Sequence, residues 1–410
     1  MKPELMIDHL FRHEYGKMVS SLTRIYGIAN LDLIEDAVQD TFQKAVLYFR
    51  NNELPENPEG WLRTVAKNRA IDLFRKVSSQ NKYENISGTS FITMQEVFTD
   101  HEIEDSQLRL LFTICHPSLK LKDQIIFALK TFSGFSRKEI AAALMISQEN
   151  VKKSLFRARK NIDLNQVKFE VPSGEQFKER IASVHLAIYL LFNEGFHSSN
   201  KEKLIKKDLI AEALRLNGLL IDRFDLPESK AMMAMMCFHA ARLEAKISDD
   251  NHLIKLKHQE RQKWNFQLIL KGHQWMEEAV ETDEYTRFHW EAAIAGEYIN
   301  ARTYEETDWA KLEIYHRNLI LLLPTASNFL NLAVILNQQG KTTQAKETLE
   351  SIDLENLKGR EYLFYSVFAE IYSTMKDYML AREMLTKALN AVNNISEKSL
   401  ILQKLQDLPS

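Results

Sequence analysis

An all-α fold is predicted for this chain, on three observations. Gly (12) and Pro (8) are scarce in 410 residues, while Leu, Ala, Lys and Glu are abundant, so helix formers far outnumber helix breakers. Apolar residues recur at helical spacing over most of the length. No segment alternates apolar and polar residues between hairpin turns, as a strand would.

The length suggests two to four domains at roughly 100–200 residues each, and 45% hydrophobic residues suffice for ordinary cores. The formal net charge of −3 means that any nucleic-acid surface has to be a local patch. Two cysteines, Cys115 and Cys237, give no disulfide framework and fit a reducing compartment. Met1 to Leu10 carries charges and no long apolar run, unlike a secretory leader. No apolar run, Leu319 to Leu323 among them, approaches the roughly 18 residues that span a membrane. The expectation is a cytoplasmic protein without membrane contact.

Taken in order, a first helix is predicted from about Ile7 to Tyr26. A second begins near Leu31, with Asp32, Glu35 and Asp36 in its first turns where carboxylates suit the helix dipole, and continues to about Phe49. Asn51 to Pro58 reads as a loop and Glu59 to Lys76 as a third helix. Ser78 to Ser90 is polar and reads as a linker. Asp105 to Lys160 is helical again, broken at His116–Pro117, Ser133–Gly134 and Ile146–Ser147. Val171-Pro172-Ser173-Gly174 marks a domain boundary. Beyond it helices continue almost to the end, with breaks at Asn200, Leu226–Pro227, Ser248–Asn251, Pro324 and Gly340.

Phe135 to Ile162 reads as helix, short turn, helix. Ile140, Ala141 and Leu144 are spaced for a buried face, and small Ala141 lets the two helices cross closely. Ile146 plugs the turn, Ser147 caps the second helix, and Val151 and Leu155 bury it. That leaves Gln148, Glu149, Lys152, Lys153 and Arg157 facing outward. Such a helix suits the major groove, its first residues reaching base edges and its later cations reaching phosphates. Arg137, Lys138, Lys152, Lys153, Arg157, Arg159 and Lys160 are opposed only by Glu139 and Glu149. A solvated hairpin with a charged face is the plainer alternative.

A second constellation precedes it. Asp36 to Ala45 forms an amphipathic stretch with acidic and amide groups outward. In the third helix Leu62, Val65, Ala66, Ile71 and Leu73 are placed to pack inward. Arg63, Lys67, Arg69, Arg75 and Lys76 make it basic against one acid, Asp72. An aromatic, Trp61, beside a basic helix suits single-stranded DNA, although a core tryptophan would read the same way.

These segments resemble conserved regions two and four of the sigma-70 family of transcription initiation factors, in the short extracytoplasmic-function branch. Asp36-x-x-Gln39-Asp40-x-Phe42 is similar to the region-two helix that docks on the β′ clamp helices of RNA polymerase core. Trp61-Leu62 … Ala66-x-Asn68-x-Ala70-x-Asp72 is similar to the part that melts and reads the −10 element. Residues 135–162 resemble region four, which reads the −35 duplex. The resemblance carries over at Asp36, Gln39, Asp40, Trp61, Asn68, Lys152 and Arg157. It implies core-polymerase binding through Asp36, Gln39, Asp40 and Phe42, and −10 binding through Trp61, Lys67, Asn68, Arg69 and Arg75. It implies −35 binding through Gln148, Glu149, Lys152, Lys153 and Arg157. The partners it implies are promoter DNA and the β′ and β subunits of the core enzyme, with no cofactor, metal or catalysis. The loop over Tyr48 to Asn57 matches the position that cradles a flipped base.

Asp105-x-x-Leu108-Arg109-Leu110-x-Phe112 … Cys115-His116-Pro117, Arg180-x-x-Ser183-Val184 … Tyr189 to Phe196, and Pro227-Glu228 … His239-Ala240-Ala241-Arg242 resemble a subgroup with a tetratricopeptide-like C-terminal extension. The residues support repeats independently. Ala333 and Ala345 recur as Ala369 and Ala381, 36 positions on, and Ala310 precedes Ala345 by 35. Leu336 and Tyr372, then Leu349 and Leu385, keep the register, with Gly340 and Lys376 at the turn. The expected organisation is region two over 1–80, a linker over 81–104, region four over 105–168 and a tetratricopeptide-like domain over 175–410. That domain would bind a regulatory protein or peptide, or pack passively.

Other chemistry has little to stand on. Glu194 and Asn193 beside Gly195 read as a buried sensor or, more simply, as helix-end hydrogen-bonding groups. Cys115–His116 and Cys237–His239 have no second pair at zinc-ligand spacing. His185, His289 and His316 have no paired nucleophile, and Met232, Met233, Met235 and Met236 read as core filling. The remaining functional alternative is a helix-turn-helix regulator with a tetratricopeptide-type interaction domain, acting without polymerase.

Overall fold

The computed structural model describes residues 3–80, 98–144, 146–196, 207–248, 254–357, 359–392 and 395–409. Among these the chain is almost wholly helical, with no strand. It divides into two compact units, Met1–Phe224 and Asp225–Ser410. No helix among the described residues is long and apolar enough to cross a membrane.

The first unit opens with α1 (Pro3–Tyr26), α2 (Leu31–Asn51) and α3 (Pro58–Gln80). In α2 the buried positions Ile34, Ala37, Val38, Thr41, Phe42, Ala45 and Phe49 recur at three and four residues, one face of a helix. In α3 the buried stripe is Leu62, Ala66, Ala70 and Phe74. Val65, Ile71 and Leu73, expected inward, are only half-buried, because a strict four-residue step from Leu62 already fills the seam. Phe74 stacks on Tyr26 with ring centroids 3.9 Å apart, tying the end of α3 to the end of α1.

After residues 81–97, where most of the expected linker lies outside the described residues, come α4 (Asp100–Ile114), α5 (Leu121–Thr131), α6 (Arg137–Ala143) and α7 (Gln148–Leu164). Helix α4 therefore begins inside the segment expected to be linker. Ser136 and Glu139 form a reciprocal capping box on α6, and Ser147 caps α7 by accepting from the Asn150 amide at 3.1 Å. Ile140 is fully buried, as are Val151 and Ala158. The helix-turn-helix predicted from spacing is thus present in the unit, with Ala141 and Leu155 also buried, whereas Leu144 and the turn residue Ile146, expected in the core, are only half-buried.

Two more helices, α8 (Gly174–Phe196) and α9 (Lys207–Phe224), complete it. Phe177 lies 5.7 Å from Phe112 of α4 and 4.7 Å from Phe224, and Arg215 donates to Gln107 at 3.0 Å. The break between units accordingly falls after Phe224, about 50 residues beyond the Val171–Gly174 boundary read from the sequence. That segment is a turn inside one core: a Pro-Gly pair marks local chain reversal, and the aromatic cluster of distant residues joins what it separates. Asn193 and Glu194 are half-buried near the end of α8.

In the second unit α10 (Pro227–Ala241) is apolar on every side and buried on every side, which makes it the central helix. Met232, Met233, Met235 and Met236 are all core residues, as expected. Around it and beyond run α11 (Phe266–Ala279), α12 (Arg287–Asn300), α13 (Trp309–Leu322), α14 (Ala326–Gln338), α15 (Thr342–Glu350), α16 (Glu361–Thr374), α17 (Tyr378–Ala391) and α18 (Ile395–Asp407).

The 36-residue offset has a structural counterpart in the helix pairs α14–α15 and α16–α17. Ala333, Ala345, Ala369 and Ala381 are all buried, and so are Leu336, Leu349 and Leu385. The turns match in backbone as well: Gly340 has φ +74° and Lys376 has φ +61°. Ala310 is exposed, so the register does not extend to it. Lys376 holds a left-handed conformation that costs an L residue about 1 kcal/mol. Lys376→Gly is therefore expected to stabilise the second unit by about 0.5–1 kcal/mol, read as a rise in its thermal midpoint. An unchanged or lowered midpoint would show that the lysine side chain contributes more than the strain costs.

Candidate nucleic-acid and polymerase interfaces

The first site lies between α2 and α3. Trp61 sits in the first turn of α3, against Tyr48 (ring centroids 4.9 Å, near-parallel) and Phe49 (5.3 Å) from the last turns of α2. Phe49 is core, whereas Tyr48 is 40% exposed. The two outer rings thus form an aromatic ledge over a groove of about 540 Å³, lined by Lys44, Asn51, Asn52, Asn68, Arg69 and Asp72. Positions 61, 65, 68, 69 and 72 share one face of α3, which is why they meet there. The structure gathers Trp61, Asn68 and Arg69 as expected, and adds Tyr48 as a ring in the groove itself. Lys67 and Arg75 are not among the lining residues; they occupy other faces of the helix. A basic, amide-rich groove roofed by aromatic rings can stack an unpaired base and hydrogen-bond its edge.

The second is the outward face of α2. Asp36 is exposed, and Gln39 and Asp40 are half-buried. Arg69 donates to Asp40 Oδ2 from Nε at 2.8 Å and Nη2 at 2.5 Å. Two residues given separate roles in the sequence therefore share one ion pair. Phe42, also given a docking role by the resemblance, is 5% exposed and packs edge-on against Phe11 at 4.8 Å. Its position on the helix follows the buried three-four spacing, which outranks the outward pattern of its polar neighbours.

The third is α7. Gln148, Glu149, Lys152, Lys153 and Arg157 are all exposed, as predicted. Phe156, not singled out by the spacing argument, is 67% exposed on the same face as Lys152 and Lys153. A phenylalanine between cations is a legible signal, masked in the spacing by its neighbour Leu155, which carries the core position. Arg157 is not free: its guanidinium forks onto buried Asp123 of α5, Nη2 to Oδ1 at 2.9 Å and Nε to Oδ2 at 3.3 Å, and also donates to Ser154. It braces α7 against α5 besides facing solvent. Arg159 turns the other way, onto Asp32 (2.7 Å) and Glu35 (3.1 Å) of α2. Burial pushes the Glu35 carboxyl up, against the opposing pull of Lys130 and Arg159.

Among the described residues no group of three or more His, Cys, Asp or Glu is placed to hold a metal ion. Cys115 and Cys237 are buried, and burial alone pushes the Cys115 thiol up to about 12, far from a reactive thiolate. His185, His289 and His316 are buried singly.

Comparison with known proteins agrees with this layout. Residues 10–80 match the family model "Sigma-70 region 2", residues 111–162 match "Sigma-70, region 4", and residues 180–280 match a family of unknown function, DUF6596. An uncharacterized protein of Rhizobium meliloti is 28% identical over 385 residues, covering 92% of this chain and 90% of that protein. RNA polymerase sigma factor YlaC of Bacillus subtilis is 28% identical over 175 residues, 41% of this chain and 96% of its own length. A probable RNA polymerase sigma factor of Haemophilus influenzae is 26% identical over 143 residues, 31% of this chain and 74% of its own. No solved structure matches the chain. Residues 10–162 thus belong to the sigma-70 family, carrying its region 2 and region 4 in order as an extracytoplasmic-function-like sigma factor does, and a helical extension follows them.

Proposed function

We propose that the chain is an alternative sigma factor that directs RNA polymerase core to specific promoters and initiates transcription there. The observation that carries this reading is the α2–α3 groove, where Trp61, Asn68 and Arg69 converge under Tyr48, upstream of a basic helix-turn-helix. A duplex-only regulator has no use for a base-sized groove with an aromatic roof. In the proposal the groove captures a flipped base of the melted −10 strand, Asp36, Gln39 and Asp40 meet the β′ clamp helices, and α7 enters the −35 major groove. Lys152 and Lys153 contact phosphates, and Phe156 is positioned to pack on a thymine methyl. The protein performs no chemistry; it spends binding energy on unstacking bases.

Run-off transcription with purified core polymerase tests the reading. Promoter-specific transcript is expected from the wild type. Trp61→Ala and Tyr48→Ala should each lower it about 5–150-fold, the worth of roughly 1–3 kcal/mol of base stacking. Asp40→Arg should abolish core binding and spare duplex affinity. Core binding unaffected by Asp40→Arg, or no transcript from wild type, would favour a regulator that acts without polymerase.

The second unit is proposed to be a tetratricopeptide-like array that binds a protein or peptide segment and regulates the sigma portion. Support comes from the repeated alanine pairs and from the matching left-handed turns at Gly340 and Lys376. Removing Asp225–Ser410, rather than cutting near residue 165 through the first core, should alter transcript yield. Equal yield across conditions would point to passive packing.

A further inference from the structure

The second unit gathers basic side chains around one buried tryptophan. Arg242 follows directly on α10, in the His239-Ala240-Ala241-Arg242 stretch that the repeats leave without a role. Arg261 opens the short 3-10 turn Arg261–Lys263, and Trp264 follows it on the way into α11. The Asn265 amide donates to the Ala241 carbonyl at 2.8 Å and ties the two segments together. Trp264 is 8% exposed, and both guanidiniums lie over its ring, Arg261 at 4.4 Å and Arg242 at 6.0 Å from the centroid. Neutral acceptors hold both heads in place. Arg242 Nε donates to Gln259 Oε1 at 3.1 Å, and Arg261 Nη1 donates to the Tyr298 carbonyl of α12 at 3.0 Å. Gln259 is itself buried and anchored, its side-chain amide donating to the Ile254 carbonyl at 2.9 Å.

The charge balance of this cluster differs from that of the first unit. There Arg63, Arg69, Arg159 and Arg215 each meet a carboxylate, at 2.9, 2.5, 2.7 and 2.8 Å. Among the described residues neither Arg242 nor Arg261 makes such a pair. Glu305 and Glu306 act on Arg261 only from a distance, and Glu305 already faces Lys257 at 3.9 Å. Burial first, and the like charge of Arg261 second, lower the Arg242 pKa to about 10. Buried Lys246 adds a third basic side chain in the field of Arg242. Like charges held together away from water are costly unless an anion joins them. The indole adds a separate signal: Trp264 Nε1 is a buried N–H donor that meets no acceptor among the described residues.

We propose that Arg242, Arg261 and Trp264 form a binding site for a phosphate monoester, carried by a small molecule or by a phosphorylated side chain. Charge decides the class of ligand. A carboxylate, or one phosphodiester of a nucleic acid, brings a single charge and leaves one guanidinium uncompensated. A phosphate monoester brings about 1.5–2 negative charges at pH 7, with three oxygens for the remaining N–H groups. Every residue of the site lies in the second unit, so the site stands whether or not the first unit recognises promoters.

Isothermal titration calorimetry of the full chain, at pH 7 and fixed ionic strength, tests the site. The probes are inorganic phosphate, phenyl phosphate, N-acetyl-phosphoserine amide, acetate and dimethyl phosphate. The three phosphate dianions are expected to bind saturably and at least about tenfold more tightly than the two monoanions, the difference made by a second charge-assisted contact. Tighter binding of phenyl phosphate points to a small molecule, and tighter binding of the phosphoserine amide to a phosphorylated chain. Equal affinities mean that the phosphoryl group alone is read. Arg242→Gln and Arg261→Gln should each weaken phenyl phosphate about 10–150-fold. Trp264→Phe keeps a ring under the guanidiniums and removes the N–H, for a loss of about 2–10-fold. Arg261→Lys should fall between Arg261→Gln and wild type, since it keeps the charge without the fork. Circular dichroism melting confirms that each variant is folded. Arg261→Lys and Trp264→Phe, which disturb charge and packing least, carry the test if a glutamine variant does not fold.

No saturable binding of any phosphate probe at millimolar concentration would overturn the proposal. So would acetate or dimethyl phosphate binding as tightly as the monoesters, or phenyl phosphate affinity unchanged in the folded variants. The two arginines would then be structural cations, stacked on Trp264 and held by Gln259 and the Tyr298 carbonyl alone.

Discussion

Arg157→Ala should lower the stability of the first unit by about 1–3 kcal/mol and weaken duplex binding, whereas Lys152→Ala should weaken duplex binding alone. The two residues look equivalent in the sequence, five positions apart on one basic helix. In the structure Lys152 is exposed, while Arg157 forks onto Asp123, which is 2% exposed. Removing one partner of a buried pair costs roughly 3–5 kcal/mol, because the remaining charge is left without compensation. Arg157 is itself about half exposed (52%), so water screens part of the pairing and brings the expected cost below that range, to about 1–3 kcal/mol. Thermal melting with a duplex-binding titration across salt concentrations separates the effects. Lys152→Ala should keep the wild-type midpoint and reduce the salt slope by about 1, the loss of one phosphate contact. Arg157→Lys should recover the charge but not the midpoint, since an ammonium cannot make the two-pronged contact. A wild-type midpoint for Arg157→Ala would show that the Asp123 bond does not brace α7.

The second unit should lose about 3 kcal/mol of stability as pH falls from 7 to 4, through His316. This side chain lies in α13 at 4% exposure, its Nδ1 meets no hydrogen-bond partner among the described residues, and burial lowers its pKa to about 4. The unfolded chain takes up a proton near the ordinary value of 6.5, while the folded chain resists until about 4. Stability from this group is therefore complete above about pH 6.5, falls progressively between there and 4, and levels off below. His316→Leu should remove that slope, because Leu has no proton to bind. Melting of the second unit followed from pH 7 to 4 in both proteins checks this. Parallel curves for the two would assign the loss to other groups.

Buried Lys246 behaves in the same sense in another pH range. Burial first, and the nearby Arg242 second, lower its pKa to about 7, so it loses stability as pH falls from its ordinary range towards 7. The two groups therefore act in adjoining windows; His289, whose pKa burial also lowers, shares the window of His316, and the comparison with His316→Leu separates the two.

How much of this was legible from residues alone depends on the range over which each signal acts. Helix identity, the caps at Ser136 and Ser147, the buried spacing of α2 and α7, and the 36-residue alanine offset all follow from residues within a few turns of one another. Backbone hydrogen bonding and side-chain direction repeat along a helix with a fixed period, so those features are written locally. The convergence of Trp61, Asn68 and Arg69 on one groove follows from the same period.

What only the tertiary structure decided concerns partners far apart in sequence. Spacing alone cannot tell that Asp40 is held by Arg69, that Arg157 braces Asp123, or that Arg159 turns away from the basic face to reach Asp32 and Glu35. Nor can it tell that α8 and α9 complete the first core through Phe112, Phe177 and Phe224. A charged or aromatic side chain has the same local pattern whether its outward face meets water or another helix. Which of the two it meets is settled by packing between elements, where burial removes the water that would otherwise screen each charge.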